Sequence, residues 1–394
     1  MAKKTMVDLD LKGKRVLLRS EFNVPIKDGK VGDDTRIQAE LPTIRYIMDQ
    51  GAGLIIMTHL GRPKGKPVED MSVKPIAAHL SALLNREVTC IPYGTEESIK
   101  AAADAITPGQ ITLLENTRFW PQEEKNDPAF SRFLASLGDI YINDAFGAAH
   151  RAHCSTEGVG QFIPASAGFL MEKEIAFLLE AVENPKQPFV VVMGGSKVSD
   201  KISLIENLAN KADSILFGGA MANTLLAAKG CDMGTSKIES DKLDLSREMM
   251  ERVEKGACRI VYPEDLVAAD SFSDDAEKKT VPYDKVPAGW MALDIGPATV
   301  KAWAAIFAQA GTIIWNGPLG VYEMPSFAKG SDGVAKAMAE SSAITIVGGG
   351  DAVAAVIQAG YGEKMTHLST GGGASLELLE GKKLPGIEIL QDKD

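Results

Sequence analysis

Short apolar runs that end in Gly, Asn or Asp alternate along this chain with longer segments of helical period. That is the pattern of βαβ units, in which strands of a parallel sheet are buried on both faces and read as continuous apolar runs. Two series appear. The first comprises residues 15–19, 54–58, 111–115 and 140–143; the second comprises residues 189–193, 214–217, 312–315 and 344–347, closed by residues 365–368. Each half is expected to form one open α/β sheet. Between them, residues 170–179 carry apolar side chains at helical spacing, and Asn184-Pro185-Lys186-Gln187-Pro188 stops them, so a connecting helix is expected.

The chain has 394 residues, enough for two or three domains. With 42 Lys and Arg against 53 Asp and Glu its net charge is −11, which argues against a non-specific nucleic-acid binder. No run approaches the roughly 18 apolar residues of a membrane span. The charged start Met1-Ala2-Lys3-Lys4 leads into Leu9-Asp10-Leu11-Lys12 rather than an apolar run, so no signal peptide is read and a cytoplasmic location is expected. Cys90, Cys154, Cys231 and Cys258 are scattered and form no Cys-x-x-Cys, against a zinc site or a disulfide framework.

In open α/β sheets ligands lie beyond the carboxyl ends of the strands. After the first-half strands come Glu21-Phe22-Asn23, His59-Leu60-Gly61-Arg62, Asn116-Thr117-Arg118 and Asp144 through His150-Arg151-Ala152-His153. Guanidinium forks match carboxylate and phosphate oxygens, so Arg36, Arg62, Arg118 and Arg151 are candidates to converge on a small phosphorylated acid. An isolated Arg more often pairs with a surface carboxylate. Surface pairing, however, gives no reason for several to share one sheet edge. His79, within Ile76-Ala77-Ala78-His79-Leu80, reads as an ordinary helix residue, and His367 as structural.

The second-half strands end in glycine: Gly194-Gly195-Ser196-Lys197, Gly218-Gly219-Ala220, Asn316-Gly317-Pro318, Gly348-Gly349-Gly350-Asp351 and Thr370-Gly371-Gly372-Gly373. Glycine lets backbone N–H groups approach phosphates, and a helix starting behind the turn adds its positive end, so this half reads as nucleotide-binding. Lys197 and Lys201 are four apart and are expected on one helical face. Asp351 is a hard carboxylate suited to Mg²⁺. Single glycine turns are common for conformational reasons alone. The Walker pattern is absent, because Gly194 to Val198 lacks its spacing and its following hydroxyl, and no G-x-G-x-x-G opens either half, which lowers a nicotinamide-dependent dehydrogenase reading.

At these residues the chain resembles the phosphoglycerate kinase family from about Lys14 to Leu390, in family order. The residues carrying the resemblance are Phe22-Asn23-Val24-Pro25, His59-Leu60-Gly61-Arg62-Pro63, Glu115-Asn116-Thr117-Arg118-Phe119, His150-Arg151-Ala152-His153, Gly194 to Lys201, Trp315 to Glu323, Gly348 to Asp351 and Ser369 to Gly373. The resemblance implies an α/β fold of two Rossmann-like domains, each a mainly parallel sheet flanked by helices, joined by a hinge helix. It divides the chain into a phosphoglycerate-binding domain (1–169), a connecting helix (170–185), a nucleotide-binding domain (186–375) and a C-terminal segment (376–394) packing back toward the first domain. The Ser369-Thr370 turn and the helix near Leu170 would be hinge regions.

The activity implied is reversible, Mg²⁺-dependent phosphoryl transfer between 1,3-bisphosphoglycerate and ADP in glycolysis, giving 3-phosphoglycerate and ATP, by a monomer acting apart from nucleic acid and membrane. By resemblance, Glu21, Phe22, Asn23, Arg36, His59, Leu60, Gly61, Arg62, Arg118 and Arg151 would bind the acid. Gly195, Lys197, Lys201, Gly219, Ala292, Leu293, Asn316, Pro318, Glu323, Gly349, Gly350, Asp351 and Ala352 would surround the nucleotide, with Glu323 on the ribose and Asp351 on the metal. Arg36, Lys197 and the amides of Gly371, Gly372 and Gly373 would act on the transferring phosphoryl. The chain departs from the family at Glu21, where Asp is usual, at Ala220 and Ala292 for Gly, and at Ala352 for a hydroxyl residue. A catalytically silent relative that binds both ligands is the alternative these departures leave.

Overall fold

Strand β1 (Arg15–Arg19) sits inside a six-stranded sheet because both of its faces are covered: Val16, Leu17 and Leu18 are each fully buried. A hairpin of β2 (Ile26–Lys27) and β3 (Lys30–Val31) follows, then β4 (Gly53–Met57), β5 (Val88–Ile91), β6 (Ile111–Leu114), β7 (Ile140–Asn143) and β8 (Ala165–Ala167). The sheet runs β5-β6-β4-β1-β7-β8 with every pairing parallel. Met6, Ile37, Ile44, Leu54, Ile76 and Leu80 join β1 in one apolar cluster beneath the helices.

The computed structural model describes residues 2–393. They fall into two compact units, one built from the stretch up to Ala176 together with the segment from Lys383 onward, the other from Phe177–Lys382. Helix Phe169–Glu183 begins in the first and ends in the second. The second unit carries β9 (Phe189–Met193), β10 (Ser214–Phe217), β11 (Arg259–Val261), β12 (Asp265–Ala269), β13 (Lys278–Pro282), β14 (Met291–Ile295), β15 (Thr312–Asn316), β16 (Ile344–Gly348) and β17 (His367–Leu368). Its six-stranded parallel sheet is ordered β11-β10-β9-β15-β16-β17, and Trp303, Phe307, Ile313 and Trp315 anchor the core.

Three features depart from the sequence reading. The second unit holds an additional antiparallel sheet, β13-β12-β14, so it is more than one open parallel sheet. Met365 and Thr366 precede β17 rather than forming it, Thr366 exchanging hydrogen bonds with Thr345 instead. The segment beyond Gly381, polar apart from Leu384-Pro385-Gly386-Ile387 and therefore legible in the sequence as a tail rather than a helix, forms a short helix at Pro385–Glu388. Its cause is local and tertiary together. Pro385 fits the first turn, and Leu384, Ile387 and Leu390 are buried while Gly386 N donates to Ala149 O at 2.9 Å.

Register places the strand ends level. Arg19 of β1 lies opposite Met57 of β4 and Asn143 of β7, so the loops after these strands leave the first sheet along one edge. In the second, Met193, Phe217, Asn316 and Gly348 are matched, and the glycines after them follow at one level.

Candidate functional site

The edge of the first sheet is built around a buried imidazole. His59 follows β4, and its Nδ1 lies 3.0 Å from Arg19 Nη2. A guanidinium only donates, so Nδ1 accepts and the proton sits on Nε2, which points toward Glu21 Oε1 at 3.9 Å. Burial, then the positive charges of Arg19, Arg118 and Arg151, hold His59 well below the usual histidine range. The same causes bring His153 down to about 4. Both imidazoles are therefore neutral at physiological pH, and the guanidiniums supply the positive charge.

Arg19 was not singled out by the sequence, where it reads as the last residue of an apolar strand. It is 1% exposed and donates to Ser155 Oγ at 3.0 Å and to Ser20 O at 2.5 Å. Ser155 in turn donates to the buried carboxylate of Glu123, which balances the charge through one hydroxyl. The only sequence signal was its position at the same strand edge as the other basic residues.

Arg118 is buried, donates from Nη1 to Gly61 O at 2.9 Å and has Nε 3.3 Å from Glu124 Oε1. Arg36 opens helix Thr35–Asp49; its Nη1 donates to Asn23 O at 2.9 Å and lies 3.6 Å from Glu21 Oε1. Asn23 accepts Gly61 N at 3.0 Å, tying the loops after β1 and β4 together. Arg151 Nε faces His150 Nε2 at 3.1 Å, and Arg62 is exposed. Phe22 and Leu60 are buried under this cluster: Phe22 N donates to Thr58 Oγ1, and Leu60 N donates to Asn116 Oδ1. The guanidiniums of Arg36, Arg118 and Arg151 are held donors suited to a carboxylate and phosphate on one small molecule, and Arg62 adds an exposed one.

In the second unit, glycine is required where strand ends crowd. A Cβ on Gly194 would lie 2.2 Å from Pro318 O, and Gly219 has φ +63°. Behind this turn Lys201 is largely buried, donating to Gly194 O at 3.2 Å and to Asn316 Oδ1 at 2.5 Å. Burial pulls it down to about 8, against the opposing pull of Asp351 and Asp200. Lys197 and Lys201 do not share a helical face. Regular α-helix starts only at Ile202, after a 3₁₀ turn at Ser199–Lys201, so Lys197 stands in the preceding loop, exposed and 3.8 Å from Asp200. Glu239 explains the shape of the turn: its carboxylate accepts Val198 N at 2.5 Å, Ser199 N at 3.1 Å and Ser199 Oγ at 2.6 Å. Some forty residues away in sequence, it gave no signal.

A cavity of about 440 Å³ opens beside the turn. Gly195, Gly219, Ala292, Leu293, Pro318, Glu323 and Asp351 line it, as do Asn223, Leu266, Phe272 and Asp294, which the sequence did not single out. Lys197, Lys201, Asn316, Gly349, Gly350 and Ala352 do not line it; Ala352 is buried in helix Gly350–Gln358. Asp294 is 3% exposed, and burial raises it to about 8 even though Ile295 N and Gly330 N donate to it. Of the Gly371–Gly373 amides, that of Gly371 is already given to Ser369 Oγ at 3.2 Å, because the turn before helix Gly373–Leu379 closes on that hydroxyl. Among the described residues no group of three or more His, Cys, Asp or Glu is placed to hold a metal, and no helix is long and apolar enough to cross a membrane.

The family model for phosphoglycerate kinase matches residues 6–382. The chain is 52% identical over 394 residues to a phosphoglycerate kinase of Roseiflexus castenholzii and 53% identical over 393 residues to one of Moorella thermoacetica, covering all of both chains in each case. Among solved structures, phosphoglycerate kinase from Coxiella burnetii superposes with a TM-score of 0.93 at 42% identity, and that from Pyrococcus horikoshii OT3 with 0.82 at 34%, each over 98% of both chains.

Proposed function

The chain belongs to the phosphoglycerate kinase family, and on that premise we propose how its residues carry the reaction. The enzyme transfers a phosphoryl group between 1,3-bisphosphoglycerate and ADP in glycolysis, with 3-phosphoglycerate and ATP as the partners of the reverse reaction. One observation carries the finer reading: the basic strand edge lies in one unit, and the glycine edge with its cavity lies in the other. The first suits the phosphorylated acid and the second the nucleotide.

The acid is held by Asn23, Arg36, His59, Arg62, Arg118 and Arg151. His59, neutral and bearing its proton on Nε2, gives a hydrogen bond rather than a charge. No general base is required, because the acceptor is a carboxylate already ionised at neutral pH. In a loose, in-line phosphoryl transfer, catalysis comes chiefly from positioning and from neutralising the equatorial oxygens. Arg36 and Lys197, both with exposed ends, and the Gly372 and Gly373 amides are assigned to those oxygens. Lys201, held by Gly194 and Asn316, faces the nucleotide phosphates.

Asp351 fits a Mg²⁺ ion: it is exposed in the first turn of helix Gly350–Gln358, on the wall of the cavity that Glu323 also lines. One carboxylate with nucleotide oxygens is a common Mg²⁺ ligand set, and the ion supplies charge neutralisation on the phosphates. Glu323 is assigned to the ribose. With the ligands on separate units, transfer requires closure of the two around both, which aligns the reacting groups and excludes water. The family resemblance supports a cytoplasmic monomer.

The test is 3-phosphoglycerate-dependent ADP formation from ATP and Mg²⁺, with Arg36→Ala beside the wild type. We expect activity that falls by about 10²-fold or more in the variant. A wild type that binds both ligands without turnover would instead mark a silent relative.

A further inference from the structure

The second unit holds another cavity, of about 460 Å³, that takes no part in the assignments above. Its floor is apolar, formed by Val267 of β12, Ile295 of β14 and Val300 of helix Pro297–Phe307. Lys278, Lys279 and Lys329 stand among its lining residues, together with the hydroxyl of Ser326. No carboxylate lines it, on a chain whose net charge is −11.

The lysines are not accounted for by structure alone. Lysine on an exposed edge strand deters pairing with another sheet, which explains Lys278 and Lys279 on β13. It does not explain Lys329. That residue begins helix Lys329–Glu340, where a positive charge meets the positive end of the helix dipole, and it has no carboxylate partner among the described residues. A local rule broken without a compensating contact is characteristic of a functional position.

The other contacts set what can bind. Lys278 Nζ donates to Ser326 Oγ at 2.7 Å, whereas Lys279 Nζ lies over the Trp290 ring at 4.3 Å and 3.2 Å from Glu277 Oε1. The nearby helix amides are already taken, Ala298 and Thr299 by Asp265 and Gly330 by Asp294. An anion entering here would therefore be met by ammonium groups rather than backbone, with an apolar surface beneath it.

We propose that this cavity is a second ligand site, for a small organic anion with an apolar body, such as an aryl or alkyl phosphate or carboxylate. Lys278 and Lys329 take the anionic group, Ser326 adds a hydrogen bond, and Val267, Ile295 and Val300 take the body.

Phenyl phosphate serves as the probe, titrated calorimetrically into enzyme saturated with 3-phosphoglycerate and MgADP so that both assigned sites are filled. The expected result is one saturable additional site. It weakens by about tenfold or more in the Lys278→Ala/Lys329→Ala protein and is unchanged in Lys336→Ala, whose lysine lies outside the cavity. Inorganic phosphate, which lacks the apolar body, is expected to bind at least about tenfold more weakly than phenyl phosphate. The proposal is overturned by absence of saturable binding, by equal affinity in the double variant, or by inorganic phosphate binding as tightly as the aryl ester.

Discussion

The carboxyl groups of Glu40 and Asp144 meet in the interior of the first unit, and burial raises both. Asp144 is raised to about 6 and Glu40 well above the ordinary carboxylate range, burial and the neighbouring Asp144 charge together keeping the proton on Glu40. Ser20 Oγ donates to Glu40 at 2.9 Å; Thr43 Oγ1 and Met171 N donate to Asp144 at 2.5 and 2.8 Å. Through this pair the helix that carries Arg36 is joined to the start of helix Phe169–Glu183.

Glu40→Gln retains a neutral donor of the same shape and is expected to stay within about 1 kcal/mol of wild type, whereas Glu40→Ala should cost about 3 kcal/mol by leaving a cavity and an uncompensated Asp144. Because both pKa values are raised on folding, the protonated forms favour the native state. The pair's contribution is thus largest in acid and declines as pH rises through about 6, with a further decline when Glu40 ionises. Urea unfolding across pH should show that later decline in wild type and not in Glu40→Gln; parallel profiles would refute a protonated Glu40.

His59 is expected to remain neutral, protonated on Nε2, throughout the neutral pH range. Nitrogen chemical shifts of labelled imidazole report this directly. An Nδ1-protonated ring, or an imidazolium at pH 7, would contradict the Arg19 contact.

Glu21→Asp shortens a carboxylate that approaches both Arg36 and His59, to 3.6 and 3.9 Å. The Michaelis constant for phosphoglycerate should change by about threefold or more with that for ATP nearly unchanged, if the proposed assignment of this edge to the acid holds. A larger effect on ATP would remove Glu21 from that site.

Lys201 loses its charge near pH 8 in the free enzyme, and nucleotide phosphates favour the charged form. MgADP binding should therefore take up protons around pH 8 and weaken as the pH rises beyond it. Calorimetry in two buffers of different ionisation enthalpy measures the uptake, which should vanish in Lys201→Met; equal heats for wild type in both buffers would show that Lys201 does not titrate on binding.

How far the sequence could be read depended on whether the cause was local. Parallel strands such as Phe189–Met193 are buried on both faces and stand out as apolar runs, and the glycines behind them mark the turns. The antiparallel sheet did not stand out, because Lys278–Pro282 is mostly exposed and polar and owes its conformation to the neighbouring strand. Arg62 and Arg118 announced themselves by residue type after strand ends. Glu239 and Asp294 act by accepting backbone amides brought to them by distant turns, and their letters alone resemble any surface acid. Lys197 was misplaced for the same reason: Glu239 shapes the loop in which it stands.

The segment from Lys383 onward supplies closing contacts of the first unit, where Gly386 meets Ala149 and Asn143, Gln391 N donates to Ala165 O, and Lys3 pairs with Asp392. The second unit is one uninterrupted stretch, Phe177–Lys382. On the ribosome, then, the second unit has all its strands before the first has received the segment from Lys383 onward. The two become complete in the reverse of the order in which their first residues are made.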